Sequence, residues 1–178
     1  MKLQNGYIQI YTGNGKGKTT AALGQALRAV GRECKVYMVQ FLKSFETGEL
    51  IAAPRLEPYF KIFRFEKKRN FFWLLNDDEK AELKQEVEQA VEFVKGVVRR
   101  NECDILILDE ILGAMHNRLV QLDELKGILS MKPSSMEIIL TGRDAPQELI
   151  DMADLVTEMR EVKHYFANGV ESRTGIEK

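Results

Sequence analysis

Apolar positions along the chain follow two rhythms, short unbroken runs and longer stretches at helical spacing, and the two alternate. Residues 7–11 (YIQIY) are rich in β-branched and aromatic side chains and end at a glycine cluster, which predicts a strand. Ala22, Leu23, Ala26, Leu27 and Val30 recur with the period of a helix over 19–30, closed by Gly31. Residues 36–41 (VYMVQF) form a second apolar run of strand length. Strand, glycine loop, helix and strand make a βαβ unit, whose crossover requires parallel pairing.

Residues 42–75 are the least regular part, with Pro54, Pro58, the basic cluster Lys67-Lys68-Arg69 and the aromatic group Phe71-Phe72-Trp73. Within them, 60–65 (FKIFRF) alternates well enough for a strand. A long helix is predicted over 77–100, capped by Asn76 with Glu79 three residues on, and striped by Leu83, Val87, Val91, Val94 and Val98. A four-residue apolar strand, 105–108, leads into Asp109-Glu110, and short helices follow over 111–116 and 123–131. Residues 137–141 (EIILT) read as a strand ending at Gly142-Arg143, 146–152 as a helix, and 155–159 as a last strand. The remainder, 160–178, reads as an extended tail packed on the domain. No repeat or linker interrupts the pattern, so residues 1–178 are expected to form a single α/β domain with a mostly parallel sheet flanked by helices.

At 178 residues the chain is long enough to bury a continuous core. A formal net charge of −1 supplies no global field, so neither nucleic acid nor membrane is expected as a partner. Cys34 and Cys103 are far apart with no CxxC spacing, which suits reduced thiols in a cytoplasm. No apolar stretch of signal length follows the first residues, and no run approaches the roughly 20 residues of a membrane helix. A cytoplasmic setting is the expectation.

The strongest chemical signal is Thr12-Gly13-Asn14-Gly15-Lys16-Gly17-Lys18-Thr19-Thr20, placed between a predicted strand and helix. Glycines let successive backbone N–H groups turn inward on phosphate oxygens, and the following helix adds its positive end. Lys18 supplies a mobile point charge, and the Thr19 hydroxyl can join the shell of a Mg²⁺ ion. Thr12 stands where the usual pattern has its first glycine, which hints at a nonstandard hold on the nucleotide. The fold expectation thereby sharpens to a P-loop NTPase-like domain.

Asp109-Glu110 at the carboxyl end of an apolar strand would lie beside that loop and orient Mg²⁺ or its waters; the pattern leaves both as candidates. Arg143 follows another strand at the matching position, where it would stabilise a departing polyphosphate, the bland alternative being a surface pair with Asp144 or Glu148. These features also permit a P-loop ATPase or small-molecule kinase, with Glu110 as base, or a non-catalytic ATP-dependent carrier. No Asn/Thr-Lys-x-Asp sequence occurs, against guanine-selective switches. His116 and His164 belong to no ligand cluster, so each has an ordinary packing or surface role. On composition alone, Phe71-Phe72-Trp73 reads as core packing and Lys67-Lys68-Arg69 as a solvated loop.

With these residues collected, the chain resembles the ATP:corrinoid adenosyltransferases of cobalamin synthesis and salvage. The resemblance is carried by GNGKGKTTAALG at 13–24, VQFLK at 39–43, LDE at 108–110, TGRDAP at 141–146 and VKHYFANGVESRTGIE at 162–177. The loop's missing first glycine is that family's own pattern. The resemblance implies a homodimer and a reaction in which Co(I) of cob(I)alamin, or of a cobyrinic or cobinamide corrinoid, attacks C5′ of ATP and triphosphate leaves. A flavodoxin-like or flavin reductant is implied as electron donor. ATP would occupy Gly13 to Thr20 in reversed orientation, exposing C5′, with Lys18, Thr19 and Glu110 on phosphate and Mg²⁺ and Asn14 at the nucleoside end. Phe71 and Trp73 match an aromatic pair that covers the lower corrin face and displaces the axial ligand. Leu74-Leu75 where polar residues are usual, and Glu161 in place of a frequent proline, are departures on the corrinoid side.

Overall fold

The computed structural model describes residues 3–43 and 45–177. Its strands are β1 (Ile8–Thr12), β2 (Val36–Gln40), β3 (Phe60–Phe63), β4 (Ile105–Asp109), β5 (Glu137–Thr141) and β6 (Leu155–Glu158). Its helices are α1 (Lys18–Val30), α2 (Gly48–Ala52), α3 (Asp77–Arg100), α4 (Ile111–His116), α5 (Leu122–Ser130) and α6 (Gln147–Met152). Among the described residues the six strands form one sheet in the order β3-β2-β4-β5-β1-β6, every neighbour parallel.

Why the central strands are apolar without alternation follows from the layers. Successive side chains point to opposite faces of a strand, and both faces here are covered. Leu106 and Leu108 face the core built with α3, α4 and α5, together with Val39, Ile138 and Leu140. Ile105 and Ile107 face the core beneath α1, with Met38 and Ile139. Helix α3 begins with the predicted reciprocal cap: Glu79 N–H donates to Asn76 Oδ1 and Asn76 N–H to the Glu79 carboxylate, each at 2.9 Å. Its apolar stripe (Leu83, Val87, Val91, Val94, Val98) is buried as expected.

Three sequence expectations shift. Helix α2 and a 3-10 turn over Ala53–Leu56 occupy a stretch expected to be irregular. The strand expected over 60–65 ends at Phe63, because Arg64 turns its guanidinium inward to Gln40 and Thr47. The tail is not wholly extended; a 3-10 turn at Tyr165–Asn168 folds it back, and Lys16 Nζ donates to the Ile176 carbonyl. Among the described residues no helix is long and apolar enough to cross a membrane.

The strand order decides where chemistry can sit. Parallel strands place all their carboxyl ends on one edge, so the loops after β1, β2, β4 and β5 converge there. The cap makes a separable prediction: Asn76→Ala should cost about 1 kcal/mol of unfolding free energy in urea denaturation.

Candidate active site

Chain reversal after β1 starts at Gly13, φ 96°, not at Thr12. Thr12 is instead the buried last residue of the strand; its carbonyl accepts from Met159 N–H at 2.8 Å and its hydroxyl from Ala145 N–H at 3.3 Å. A side chain is thus useful at the position where glycine is usual. Gly15 N–H donates to the Met159 carbonyl at 2.6 Å, and a Cβ on Gly15 would come within 2.7 Å of the same oxygen. Gly17, φ 121°, delivers the chain into α1. Lys18 folds its ammonium over the loop, donating to the carbonyls of Gly13 (2.7 Å) and Gly15 (2.8 Å). Burial pushes the Lys18 ammonium below its usual range; Glu110 acts against that shift and Arg143 with it, so the three side chains share one electrostatic site.

Between β1 and β4 lies β5, so the loop and the carboxylate of Asp109 are one strand apart. Thr141 at the end of β5 closes the gap: its hydroxyl donates to Asp109 Oδ1 at 2.7 Å and accepts from Glu110 N–H at 2.8 Å. Asp109 is fully buried and takes three more contacts. Thr19 Oγ1 donates to Oδ1 at 2.8 Å, Gln40 Nε2 to Oδ2 at 3.2 Å, and the Lys43 ammonium lies 2.6 Å from Oδ2. Glu110, in the left-handed region at φ 61°, faces the same cleft; burial first, then Asp109, pushes its carboxyl up. Among the described residues no three His, Cys, Asp or Glu side chains converge as a metal cage. A hydroxyl and a carboxylate 2.8 Å apart beside a phosphate loop are, however, the hard oxygen donors that Mg²⁺ takes when phosphates complete its shell.

The cleft over this edge has a volume of about 1340 Å³, above the ~300–1,000 Å³ of a single small-molecule site. Asn14 to Thr20 form one part of its wall, Glu110 and Arg143 another, and Phe71, Phe72 and Trp73 a third. Composition alone read those rings as core, which holds for Phe72, half-buried against the main core, and fails for the other two. Phe71 is 58% and Trp73 73% exposed, and the two stack at 4.9 Å with an interplanar angle of 1°. Nor is the basic triplet uniformly solvated. Lys67 and Lys68 are exposed, but Arg69 is half-buried, its side chain only 8% exposed, and forms ion pairs with Glu82 (3.1 Å) and Glu86 (3.0 Å) of α3. Those pairs tie the aromatic segment to the long helix.

A sequence profile described as ATP:corrinoid adenosyltransferase BtuR/CobO/CobP matches residues 4–177. The corrinoid adenosyltransferase of Escherichia coli K12 is 36% identical over 176 residues, 98% of this chain and 86% of that one.

The chain belongs to the ATP:corrinoid adenosyltransferase family.

Other members fit equally well along their length. The corrinoid adenosyltransferase CobA of Salmonella typhimurium LT2 is 35% identical (98% of this chain, 86% of the relative), and that of Pseudomonas aeruginosa 31% (98% and 84%). A RadB recombinase crystal structure superposes with a TM-score of 0.54 at 16% identity, covering 90% of this chain and 77% of that one, a likeness of fold.

Within this family member, Asn14 to Thr20, Glu110 and Arg143 line one cleft together with Phe71 and Trp73. His164 borders it too, its Nδ1 accepting from Phe166 N–H at 3.1 Å, while His116 is exposed at the end of α4. Four contributors escaped the sequence reading: Gln40, Lys43, Glu49 and Arg64. Gln40 was the available signal, a polar residue closing an apolar strand that pairs in register with Asp109. Arg64 Nε donates to Gln40 Oε1 at 2.7 Å, and its other end lies 3.7 Å from Glu49.

Glu66, also on the cleft wall, accepts from Leu42 N–H at 2.7 Å, and burial pushes its carboxyl from 4.5 up to about 7. Between those values the folded protein keeps a proton that the unfolded chain has released. This contribution to stability is therefore full below 4.5 and is lost as pH rises through about 7. Glu66→Gln should flatten that loss: the fall in melting temperature from about pH 5 to about pH 8 should be smaller in the variant than in the parent. Parallel curves would show that Glu66 ionises normally.

Proposed function

We propose that adenosyl transfer, the reaction of this family, takes place in the cleft between the phosphate loop and the Phe71–Trp73 stack, with the loop gripping polyphosphate as a leaving group. The observation that carries this reading is the single cleft lined by both, large enough for more than one ligand. In the reaction an electron pair on Co(I) of the corrinoid substrate forms the bond to C5′ of ATP. The bond from C5′ to the phosphate oxygen breaks, and triphosphate departs with the electrons of that carbon–oxygen bond. No proton needs to move, so no general base is required at the reacting carbon.

The catalytic task is then charge. Lys18 and Arg143 face the departing triphosphate, whose negative charge grows as the carbon–oxygen bond lengthens. The backbone from Gly13 through Gly17, with Lys16 and Thr20 beside it, binds the phosphates, and Asn14 contacts the nucleoside. Thr19, Asp109 and Glu110 would hold Mg²⁺, which supplies charge neutralisation on the phosphates when bound. Reversed placement of the nucleotide turns its C5′ toward the aromatic rings and leaves the γ end in the loop. Phe71 and Trp73 present faces without donor atoms, so a corrin lying on them has no axial ligand from the protein. Removing the axial donor lowers the orbital that receives an electron, so Co(II) is reduced more readily, and water is kept from the nucleophile.

The same reading takes cob(I)alamin or a cobyrinic or cobinamide precursor as substrate, a flavin or flavodoxin-like reductant, a homodimer and a cytoplasmic location. Cys34 and Cys103 are both buried, as suits a reducing compartment.

Protein supplied with ATP, Mg²⁺ and chemically reduced cobalamin should yield light-sensitive adenosylcobalamin and intact triphosphate; ADP and phosphate as products would return the chain to the ATPase or kinase class. Lys18→Ala should lower turnover by about two orders of magnitude even with pre-reduced corrinoid. Trp73→Ala should be impaired mainly when Co(II) must be reduced on the protein. Equal losses with Co(I) and Co(II) would assign Trp73 a packing role only.

A further inference from the structure

A carboxylate offers about four hydrogen-bonding positions, and Asp109 has all of them filled: Thr19 and Thr141 on Oδ1, Gln40 and Lys43 on Oδ2. An ion, or a water bound to one, reaches Asp109 only if a donor leaves. Thr141 and Gln40 are fixed on the strands flanking β4, and Thr19 in the first turn of α1. Lys43 alone reaches in from a loop, and it alone carries charge. Its side chain is 23% exposed, and its ammonium lies 2.6 Å from Asp109 Oδ2 and 3.3 Å from Thr19 Oγ1. Those are two of the three groups assigned above to Mg²⁺. An ammonium and a dication cannot share that position, because the repulsion between them at such range exceeds what either gains.

We propose that Lys43 is a tethered counter-ion for Asp109 that Mg²⁺ must displace, so that the empty site is charge-balanced and closed to stray metal. Displacement has a destination. Glu49 Oε1 already lies 3.7 Å from the Lys43 ammonium, and it is held in place by Gln40 (3.1 Å) and Arg64 (3.7 Å). The ammonium stays on the cleft wall, available to polyphosphate, when it moves aside. Lys43 is on this account a positioning residue for the metal. The inference rests on the assignment of Asp109 and Thr19 as the metal's seat and adds to it the residue that guards that seat.

The test is a titration of the full chain with Mn²⁺ in place of Mg²⁺, following the free ion by electron paramagnetic resonance, without nucleotide and with inorganic tripolyphosphate. Lys43→Met should bind Mn²⁺ about tenfold more tightly than the parent when no polyphosphate is present, because the competing state is removed. Its metal-free melting temperature should fall, and Mn²⁺ should raise it by more than it raises the parent's. A second measurement needs no destabilising variant. In reductively ¹³C-methylated parent protein, the Lys43 resonance, assigned by its loss in Lys43→Arg, should move when Mg²⁺ and tripolyphosphate are added together. Mn²⁺ affinity unchanged by Lys43→Met, or a stationary resonance, overturns the proposal. Metal binding to parent and variant alike with tripolyphosphate would then leave the seat intact and remove only Lys43's role. No binding to either protein, even with tripolyphosphate, would remove both.

Discussion

One buried carboxylate organises the carboxyl edge of this sheet. Asp109 is shielded completely from water, and an ionised carboxylate in that position is tolerated only with its hydrogen-bonding capacity met. The donors come from α1, from β2, from the loop beyond β2 and from β5. Satisfying Asp109 therefore fixes four segments against one another. The end of β5, through Thr141, also holds the Glu110 backbone and so orients the second carboxylate. Loss of one partner from a buried pair of this kind typically costs about 3–5 kcal/mol, enough to make the arrangement self-policing in sequence.

From that anchor a chain of charge runs outward along the cleft. Lys43 leads to Glu49, Glu49 to Arg64, and Arg64 to the carbonyl of Phe45, at the mouth of the cleft. A separate buried pair, Arg69 with Glu86, ties the aromatic segment to α3. The phosphate half and the ring-bearing half are thus each pinned by ion pairs shielded from solvent, where screening by salt is weak. A site that must seat two ligands at a set separation gains from walls of this kind.

Much of this was legible in the residues. The alternation of apolar runs and helical stripes placed all six strands within a residue or two; β2, β4 and β5 stand out most plainly, because strands covered on both faces are apolar with little interruption. Asn76 and Glu79 gave the start of α3 at its true residue, since a reciprocal cap is a local code. The phosphate loop and Asp109-Glu110 announced themselves by spacing. What escaped was what spacing cannot encode. Helix α2 has five residues, too few to show a period, and Pro54 stands two residues beyond its end. Lys43 and Arg64 acquire meaning only when β2, β3 and β4 lie side by side and bring them to Asp109 and Gln40. Exposure of Phe71 and Trp73 was likewise invisible to composition, which treats aromatic clusters as interior by default.

The stacked rings of Phe71 and Trp73 stand largely in water when nothing lies on them. Surface of that type raises the heat capacity of the solvent around it. A flat macrocycle settling over the pair releases that water, so its association carries a negative heat-capacity change and grows more exothermic on warming. If the corrin of the proposed reaction is what settles there, the thermal behaviour of the unliganded protein and its hold on that macrocycle are two readings of the same exposed ring surface.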